Sequence, residues 1–103
     1  MTTNQIVLVV RFRVKAASRA LLEEKLKEVF EVIRNEDTFL NATLHEDLED
    51  PEQLLVYEVW RETRESFLAN QMSNSYRSSF EQAIVDLKVE RMGQWLKPVA
   101  MWK

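Results

Sequence analysis

Two hydrophobic periods alternate along the 103-residue chain, in an order that restricts the possible folds. Four segments have apolar side chains at every second position, as strands do: residues 5–14, 40–48, 53–60 and 94–102. Two segments repeat apolar side chains at helical spacing: residues 18–35, with Ser18 as N-cap, and residues 63–87, with Thr63 as N-cap and a break near Met72. The resulting β-α-β-β-α-β order predicts an α+β fold of ferredoxin-like topology. We expect a single domain, residues 1–103.

The first predicted strand is apolar on both faces near its start, so both faces of the sheet need a cover. Both helices are expected to cover one face, whereas Val7 and Val9 lie on the other. A second copy of the same sheet is the simplest cover for that face. Trp95 and Trp102 make the last strand, which Pro98 interrupts, too apolar for a solvent-facing edge. We therefore predict a homodimer.

The composition excludes several classes of site. The chain has no cysteine, one histidine and one glycine, Gly93. It therefore lacks thiolate ligands, a three-histidine metal site and a glycine-rich phosphate loop, and we expect neither a metal nor a cofactor. With a net charge of −3 and no basic stripe, nucleic-acid binding is not expected. The longest apolar run, residues 6–10, is too short for a membrane span or a signal peptide, which favours the cytoplasm.

Four short stretches, taken in order, carry a resemblance to a known family. They are VVRFRVK at residues 9–15, HEDLEDP at 45–51, YEVW at 57–60 and the helical segment at 67–80. On these residues the chain resembles the antibiotic biosynthesis monooxygenase family of dimeric α/β barrels, which includes small quinol monooxygenases. The resemblance implies a homodimeric, cofactor-independent monooxygenase acting on a small hydrophobic quinol, phenol or anthrone-like aromatic. In this class the deprotonated substrate itself supplies electrons to dioxygen.

The chain departs from the family pattern in two places. Thr38 and Phe39 occupy the positions of a Gly-Cys-like pair, and Gln71 and Tyr76 occupy positions where many members have histidines. Haem-degrading relatives use an Asn-Trp-His set, which is incomplete here because the corresponding helix has no histidine. Two other functions therefore stay open. One is a non-catalytic or stress-response dimer that binds a small hydrophobic molecule, and the other is a proton-transfer isomerase or decarboxylase on the same scaffold.

Three side chains are candidates for proton transfer. Histidine is the side-chain type whose charge changes near neutral pH, so His45 is either a general base or a surface residue of the hairpin. Glu58 has apolar neighbours, which predict a raised pKa and a role as proton shuttle. Tyr76 shares a helical face with Phe80 and Ile84, and its hydroxyl is expected either to bond a quinol oxygen or to reach water at the edge of the core.

Four further side chains are candidates for substrate binding: Trp60, Asn70, Gln71 and Arg11. Trp60 shares a strand face with Glu58 and either stacks on a planar ligand or belongs to the core. Resemblance to anthrone-oxidising members, which are thought to use Asn, Trp and Tyr, implies roles for Asn70, Trp60 and Tyr76. Arg11 needs an anion, which is either Glu58 or a ligand, and Arg13 is the other arginine that could pair with Glu58. We predict that Trp60, Tyr76 and Glu58 line one cavity between the sheet and the second helical segment.

Overall fold

A computed structural model describes residues 4–103, so residues 1–3 of the predicted domain lie outside the described residues. Within this range four strands form one antiparallel sheet: β1 (Ile6–Arg13), β2 (Phe39–Glu46), β3 (Gln53–Trp60) and β4 (Glu90–Leu96). The helices are α1 (Ala16–Ile33), α2 (Arg64–Asn70) and α3 (Ser78–Asp86), and a 3-10 turn, Ser75–Arg77, leads into α3. The element order and the sheet order β2-β3-β1-β4 confirm the predicted ferredoxin-like α+β fold.

The helices cover one face of the sheet, here called the helix face. On the central strand β1 this face carries Val10, which is paired with Val56 of β3 and Gly93 of β4. The buried core joins this face to one side of each helix: Ile6, Val10, Phe12, Val14, Leu22, Leu26, Val29, Ile33, Leu54, Val56, Trp60, Phe67, Phe80 and Ile84. Each large apolar side chain buried in this way contributes about 1.5–3 kcal/mol. This layer therefore holds the helices against the sheet.

The opposite face of the sheet, here called the open face, is left without a helix in the described residues. Val7 and Val9 are buried there between neighbouring strands, and Tyr57 beside them is 40% exposed. None of the three belongs to the core cluster under the helices. The open face is therefore the apolar surface that, from the sequence, we expect a second copy of the sheet to cover.

The two predicted N-caps have different outcomes. Thr63 caps α2 as expected, because its Oγ1 accepts the backbone N–H of Ser66 while Ser66 Oγ accepts the backbone N–H of Thr63. Ser18 is not an N-cap, since α1 already begins at Ala16 and the N-cap Lys15 makes no side-chain capping bond. The backbone N–H of Ser18 instead donates to the carbonyl of Lys15 within the first turn.

The last strand begins and ends earlier than predicted. Its pairing with β1 stops at Leu96, which lies opposite Val7 near the start of β1, so little of β1 remains for later residues to pair with. Pro98, which has no N–H to donate, follows two residues later. Val99 and Trp102 are 98% and 87% exposed. Among residues 4–103, no helix has both the length and the apolar character that crossing a membrane requires.

Candidate functional site

A cavity of about 300 Å³, here called the Glu58 cavity, lies between the helix face and the helices. Most of its lining is apolar: Leu8, Val10, Phe12, Leu26, Val29, Phe30, Ile33, Val56, Phe67, Leu68, Met72, Phe80, Gly93 and Trp95. Four charged side chains complete the lining: Glu58, Arg77, Glu81 and Arg91. An apolar concavity with a few convergent polar groups is typical of small-molecule sites.

Glu58 is the buried acid of this cavity, with 6% of its surface exposed. It lies on β3 between Leu8 of β1 and Ala42 of β2, and its Oε1 accepts a 2.9 Å hydrogen bond from the indole N–H of Trp60. Burial raises the pKa of the Glu58 carboxyl above its ordinary value. The Trp60 hydrogen bond and the charge of Arg77 offset part of that rise. The side chain is thus a stronger base than an exposed glutamate.

Arg77 is the cation that sequence reasoning missed. It ends the 3-10 turn before α3, and its Nε and Nη2 atoms are buried without a hydrogen-bond partner among residues 4–103. The guanidinium carbon lies 5.8 Å from the ring centroid of Phe67 and 5.8 Å from that of Tyr76. A guanidinium that lies near aromatic rings and has N–H groups without a partner is suited to bind an anionic oxygen.

The other two charged side chains bind each other. Arg91 of β4 donates to both carboxylate oxygens of Glu81 of α3, at 2.7 and 2.8 Å. These hydrogen bonds lower the pKa of Glu81, and burial opposes part of the effect. The pair links α3 to the edge strand at the cavity.

Trp60 and Tyr76, both predicted to share a cavity with Glu58, are placed differently. Trp60 is fully buried, packs edge-to-face between Phe39 and Phe67 at 5.2 and 5.1 Å between ring centroids, and reaches Glu58 through its N–H. The hydroxyl of Tyr76 donates to Glu36 Oε1 at 3.2 Å. Of the three, only Glu58 lines the cavity. The predicted shared lining is therefore corrected, and a role of Tyr76 in the reaction stays a prediction.

Asn70 and Gln71 lie where α2 ends, outside the cavity lining. Asn70 is exposed, whereas Gln71 is buried and donates through Nε2 to Glu62 Oε2 at 3.1 Å. Its Oε1 accepts from Asn74 at 3.2 Å. Gln71 therefore helps to hold the break between α2 and α3, and the substrate-binding roles predicted for both residues stay predictions.

His45 and Arg11 lie on the open face, where both are paired with Leu55 and both are exposed. The alternative that Arg11 pairs with Glu58 is wrong, because Glu58 lies on the helix face. Arg13, the other arginine considered as a partner of Glu58, binds Asp50 at 2.9 Å. Any role of His45 or Arg11 in the reaction therefore belongs to the opposite side of the sheet from the Glu58 cavity and stays a prediction.

A second concavity, of about 460 Å³, lies between α1 and β2 and is lined by residues such as Phe30, Phe39 and Leu44. It is larger than the Glu58 cavity but contains none of the predicted site residues and no buried acid. Across residues 4–103, no three acidic or histidine side chains are grouped so that they could hold a metal ion. The expected absence of a cofactor stays a prediction.

Comparisons with known proteins agree with this architecture. SnoaB, a cofactor-independent oxygenase from Streptomyces nogalater, is similar with a TM-score of 0.80 at 14% identity, over 95% of this chain and 96% of that chain. A proposed antibiotic biosynthesis monooxygenase from Deinococcus radiodurans has a TM-score of 0.83 at 18% identity, over 95% and 96%. Another, from Nitrosomonas europaea, has a TM-score of 0.82 at 17% identity, over 96% and 94%.

At these identities the structural similarity shows the fold alone. No curated protein matches the chain. The sequence model of one family does match, over residues 5–82, which is most of the chain. The chain belongs to the antibiotic biosynthesis monooxygenase family.

Proposed function

We propose that the protein is a cofactor-independent monooxygenase that oxidises a small phenolic, quinol or anthrone-like aromatic in the Glu58 cavity. The observation that carries the proposal is that a buried carboxylate and an unpaired guanidinium, those of Glu58 and Arg77, line the same apolar cavity. Membership of the family supports this class of reaction. The proposed functional unit is one domain, residues 1–103, acting in the cytoplasm.

Glu58 is the proposed general base. Its carboxylate takes the phenolic or enolic proton of the bound substrate. Because burial raises its pKa toward that of such a substrate, the transfer is less uphill than it would be to an exposed glutamate. The Trp60 N–H fixes one carboxylate oxygen, so the other is left to receive the proton. Trp60 thus positions the base from behind the cavity wall.

Arg77 is the proposed partner of the substrate oxyanion that forms when the proton leaves. Its buried N–H groups are fixed before the substrate arrives, and a charge-assisted hydrogen bond in an apolar cavity is stronger than the same bond in water. The two side chains thus have complementary roles in the same proton transfer. Glu58 accepts the proton, and Arg77 stabilises the negative charge left behind.

The oxidation itself needs no external reductant. For an anthrone-like substrate, the deprotonated ring system gives electrons to dioxygen, and a carbon–oxygen bond forms at the activated methylene carbon. One oxygen atom stays as the new carbonyl oxygen, and the other leaves as water with the two protons from that carbon. The methylene carbon therefore supplies all the electrons that dioxygen takes up.

Oxygen uptake with anthrone and with a naphthohydroquinone tests the proposal. Glu58→Gln keeps the shape of the side chain but cannot accept the proton, so we expect turnover to fall by about 10²- to 10⁴-fold. Binding of the substrate in the absence of oxygen should stay nearly unchanged. It can be monitored by quenching of the fluorescence of Trp95, which lines the cavity. Arg13→Gln, on the opposite face of the sheet, is the matched control for charge loss. Binding without oxygen uptake would favour the non-catalytic binder, and product formation without oxygen uptake would favour the isomerase.

We also propose that the protein is a homodimer joined through the open face. Val7 and Val9 make the centre of that face apolar, and no helix of the described chain covers it. A second copy brings an identical apolar face, so the two surfaces match in character. The dimer leaves the Glu58 cavity of each copy on the outer, helix-covered side of its sheet.

A further inference from the structure

The four charged side chains of the Glu58 cavity differ in how they are paired. Arg91 and Glu81 form a two-bond contact, from Nη1 to Oε2 at 2.7 Å and from Nη2 to Oε1 at 2.8 Å. Arg77 takes part in none of the ion pairs formed among residues 4–103. One arginine of the cavity is thus fully engaged, and the other is free for a ligand.

Glu81 is nevertheless a natural partner for Arg77. The two residues are four positions apart at the start of α3, and side chains at this spacing lie on the same side of a helix. The positive charge of Arg77 adds to the lowering of the Glu81 pKa, although the hydrogen bond from Arg91 is its largest cause. Arg77 and Glu81 are therefore close enough to interact, and Arg91 holds both oxygens that Arg77 would bind.

We propose that Arg91 is a positioning residue that keeps Glu81 away from Arg77 and so reserves Arg77 for an anionic oxygen of the ligand. The proposal rests on the proposed function, which assigns the substrate oxyanion to Arg77. A two-bond contact between a guanidinium and a carboxylate is stronger than a single contact, which accounts for the preference of Glu81 for Arg91. Without Arg91, Glu81 turns to Arg77 and competes with the ligand for the same guanidinium.

The first test needs no ligand. In Arg91→Gln, the Glu81 carboxylate should transfer to Arg77, so a ¹³C NMR titration should still find the Glu81 pKa below its ordinary value. In Arg77→Gln/Arg91→Gln neither arginine remains, and the Glu81 pKa should rise. A Glu81 pKa that returns to its ordinary value in Arg91→Gln alone would show that Glu81 does not turn to Arg77, and the inference would fail.

The second test uses 2-naphthoate as an anionic probe and its uncharged amide, 2-naphthamide, as the comparison, both by calorimetry. Arg77→Gln should weaken naphthoate binding by about 10- to 150-fold, which is the worth of a hydrogen bond to a charged group. Arg91→Gln should weaken it by about 2- to 5-fold, as expected for competition from a partly exposed ion pair. Removing the competitor in Glu81→Gln/Arg91→Gln should restore the affinity, and naphthamide affinity should hardly change.

The outcomes separate this inference from the proposed function. If Arg77→Gln leaves naphthoate binding unchanged, the oxyanion role of Arg77 fails, and the proposed function fails with it. If Arg77→Gln weakens binding but Glu81→Gln/Arg91→Gln is no better than Arg91→Gln, only the positioning role of Arg91 fails. Because the lost link between α3 and β4 could itself disturb the fold, Arg91→Lys, which keeps one contact, should give an intermediate effect. Arg13→Gln is the control for loss of an arginine–carboxylate pair elsewhere.

Discussion

The indole N–H of Trp60 donates a 2.9 Å hydrogen bond to Oε1 of Glu58, and both side chains are buried on the helix face. Since a hydrogen bond to the charged form lowers the pKa of a carboxyl, Trp60→Phe should raise the pKa of Glu58 further. The oxygen left without a donor should also cost about 1–3 kcal/mol in the free energy of unfolding at neutral pH. A ¹³C NMR titration and urea unfolding measure the two effects.

The matched control for this prediction is Trp95→Phe. Trp95 also lines the Glu58 cavity and packs on Phe67 at 5.3 Å between ring centroids, but it makes no hydrogen bond to Glu58. Trp95→Phe should therefore leave the pKa of Glu58 nearly unchanged. An equal shift in both variants would mean that loss of aromatic packing, rather than the hydrogen bond, controls the pKa.

The raised pKa of Glu58 also makes stability depend on pH. The unfolded chain loses this proton near the ordinary value of 4.5, whereas the folded protein keeps it to higher pH. The free energy of unfolding therefore falls as the pH rises from about 4.5 to the folded pKa and stays lower above it. Glu58→Gln cannot ionise, so it avoids this fall in the free energy of unfolding. The Tm of Glu58→Gln should therefore exceed that of the natural chain by more at pH 8 than at pH 4. Glu31→Gln, an exposed change, should show no such trend, and a gain confined to pH 4 would contradict the assignment.

The relation between Glu58 and Trp60 was predictable from sequence, because side chains two positions apart in a strand share a face. The N-cap at Thr63 and the apolar side of α1 were predictable in the same way, as local patterns. Arg77 was not, since its place in the cavity depends on the backbone path between the end of α2 and the start of α3. The helical period predicted over residues 63–87 is interrupted there by a 3-10 turn, which also places the Tyr76 hydroxyl beside Glu36.

At Gly93, a side chain would stabilise the strand, but a large one would fill the cavity. Gly93 lines the Glu58 cavity within β4, and a Cβ there would meet only Leu8 Cδ1, at an ordinary contact distance of 3.9 Å. Glycine weakens a strand, so Gly93→Ala should raise the free energy of unfolding by about 0.5–1 kcal/mol with ligand binding retained. Gly93→Leu should keep the fold but fill the cavity and weaken naphthohydroquinone binding. Unchanged binding in Gly93→Leu would place the ligand elsewhere.

Lys88 follows α3 with a φ of 55°, the left-handed region in which side chains are disfavoured. Its N–H donates to the carbonyl of Val85 and the N–H of Val89 donates to the carbonyl of Ile84, which is the Schellman pattern that usually has glycine at this position. Lys88→Gly should therefore raise the free energy of unfolding by about 0.5–1 kcal/mol. Lys88→Ala keeps the Cβ and should bring no such gain. Chemical denaturation distinguishes the two variants.

The proposed homodimer gives the sharpest prediction about the open face. Light scattering at micromolar concentration should give twice the mass of the chain. Tyr57→Lys places a charge on that face, where Tyr57 is 40% exposed in one copy, so it should separate the dimer without greatly destabilising each protomer. Val85→Lys, at a position on α3 that is 70% exposed, is the control and should leave the dimer intact.

Circular dichroism distinguishes dissociation of this dimer from unfolding of its protomers. Tyr57→Lys should keep the helix and strand signal while the mass falls to that of one chain, because the core under the helices does not include Tyr57. A natural chain that is monomeric with its full signal would rule out the dimer. If Val85→Lys dissociates the protein and Tyr57→Lys does not, the copies associate through the helices rather than through the open face. Ligand binding in the monomeric variant would then show whether the Glu58 cavity, on the other side of the sheet, functions within a single copy.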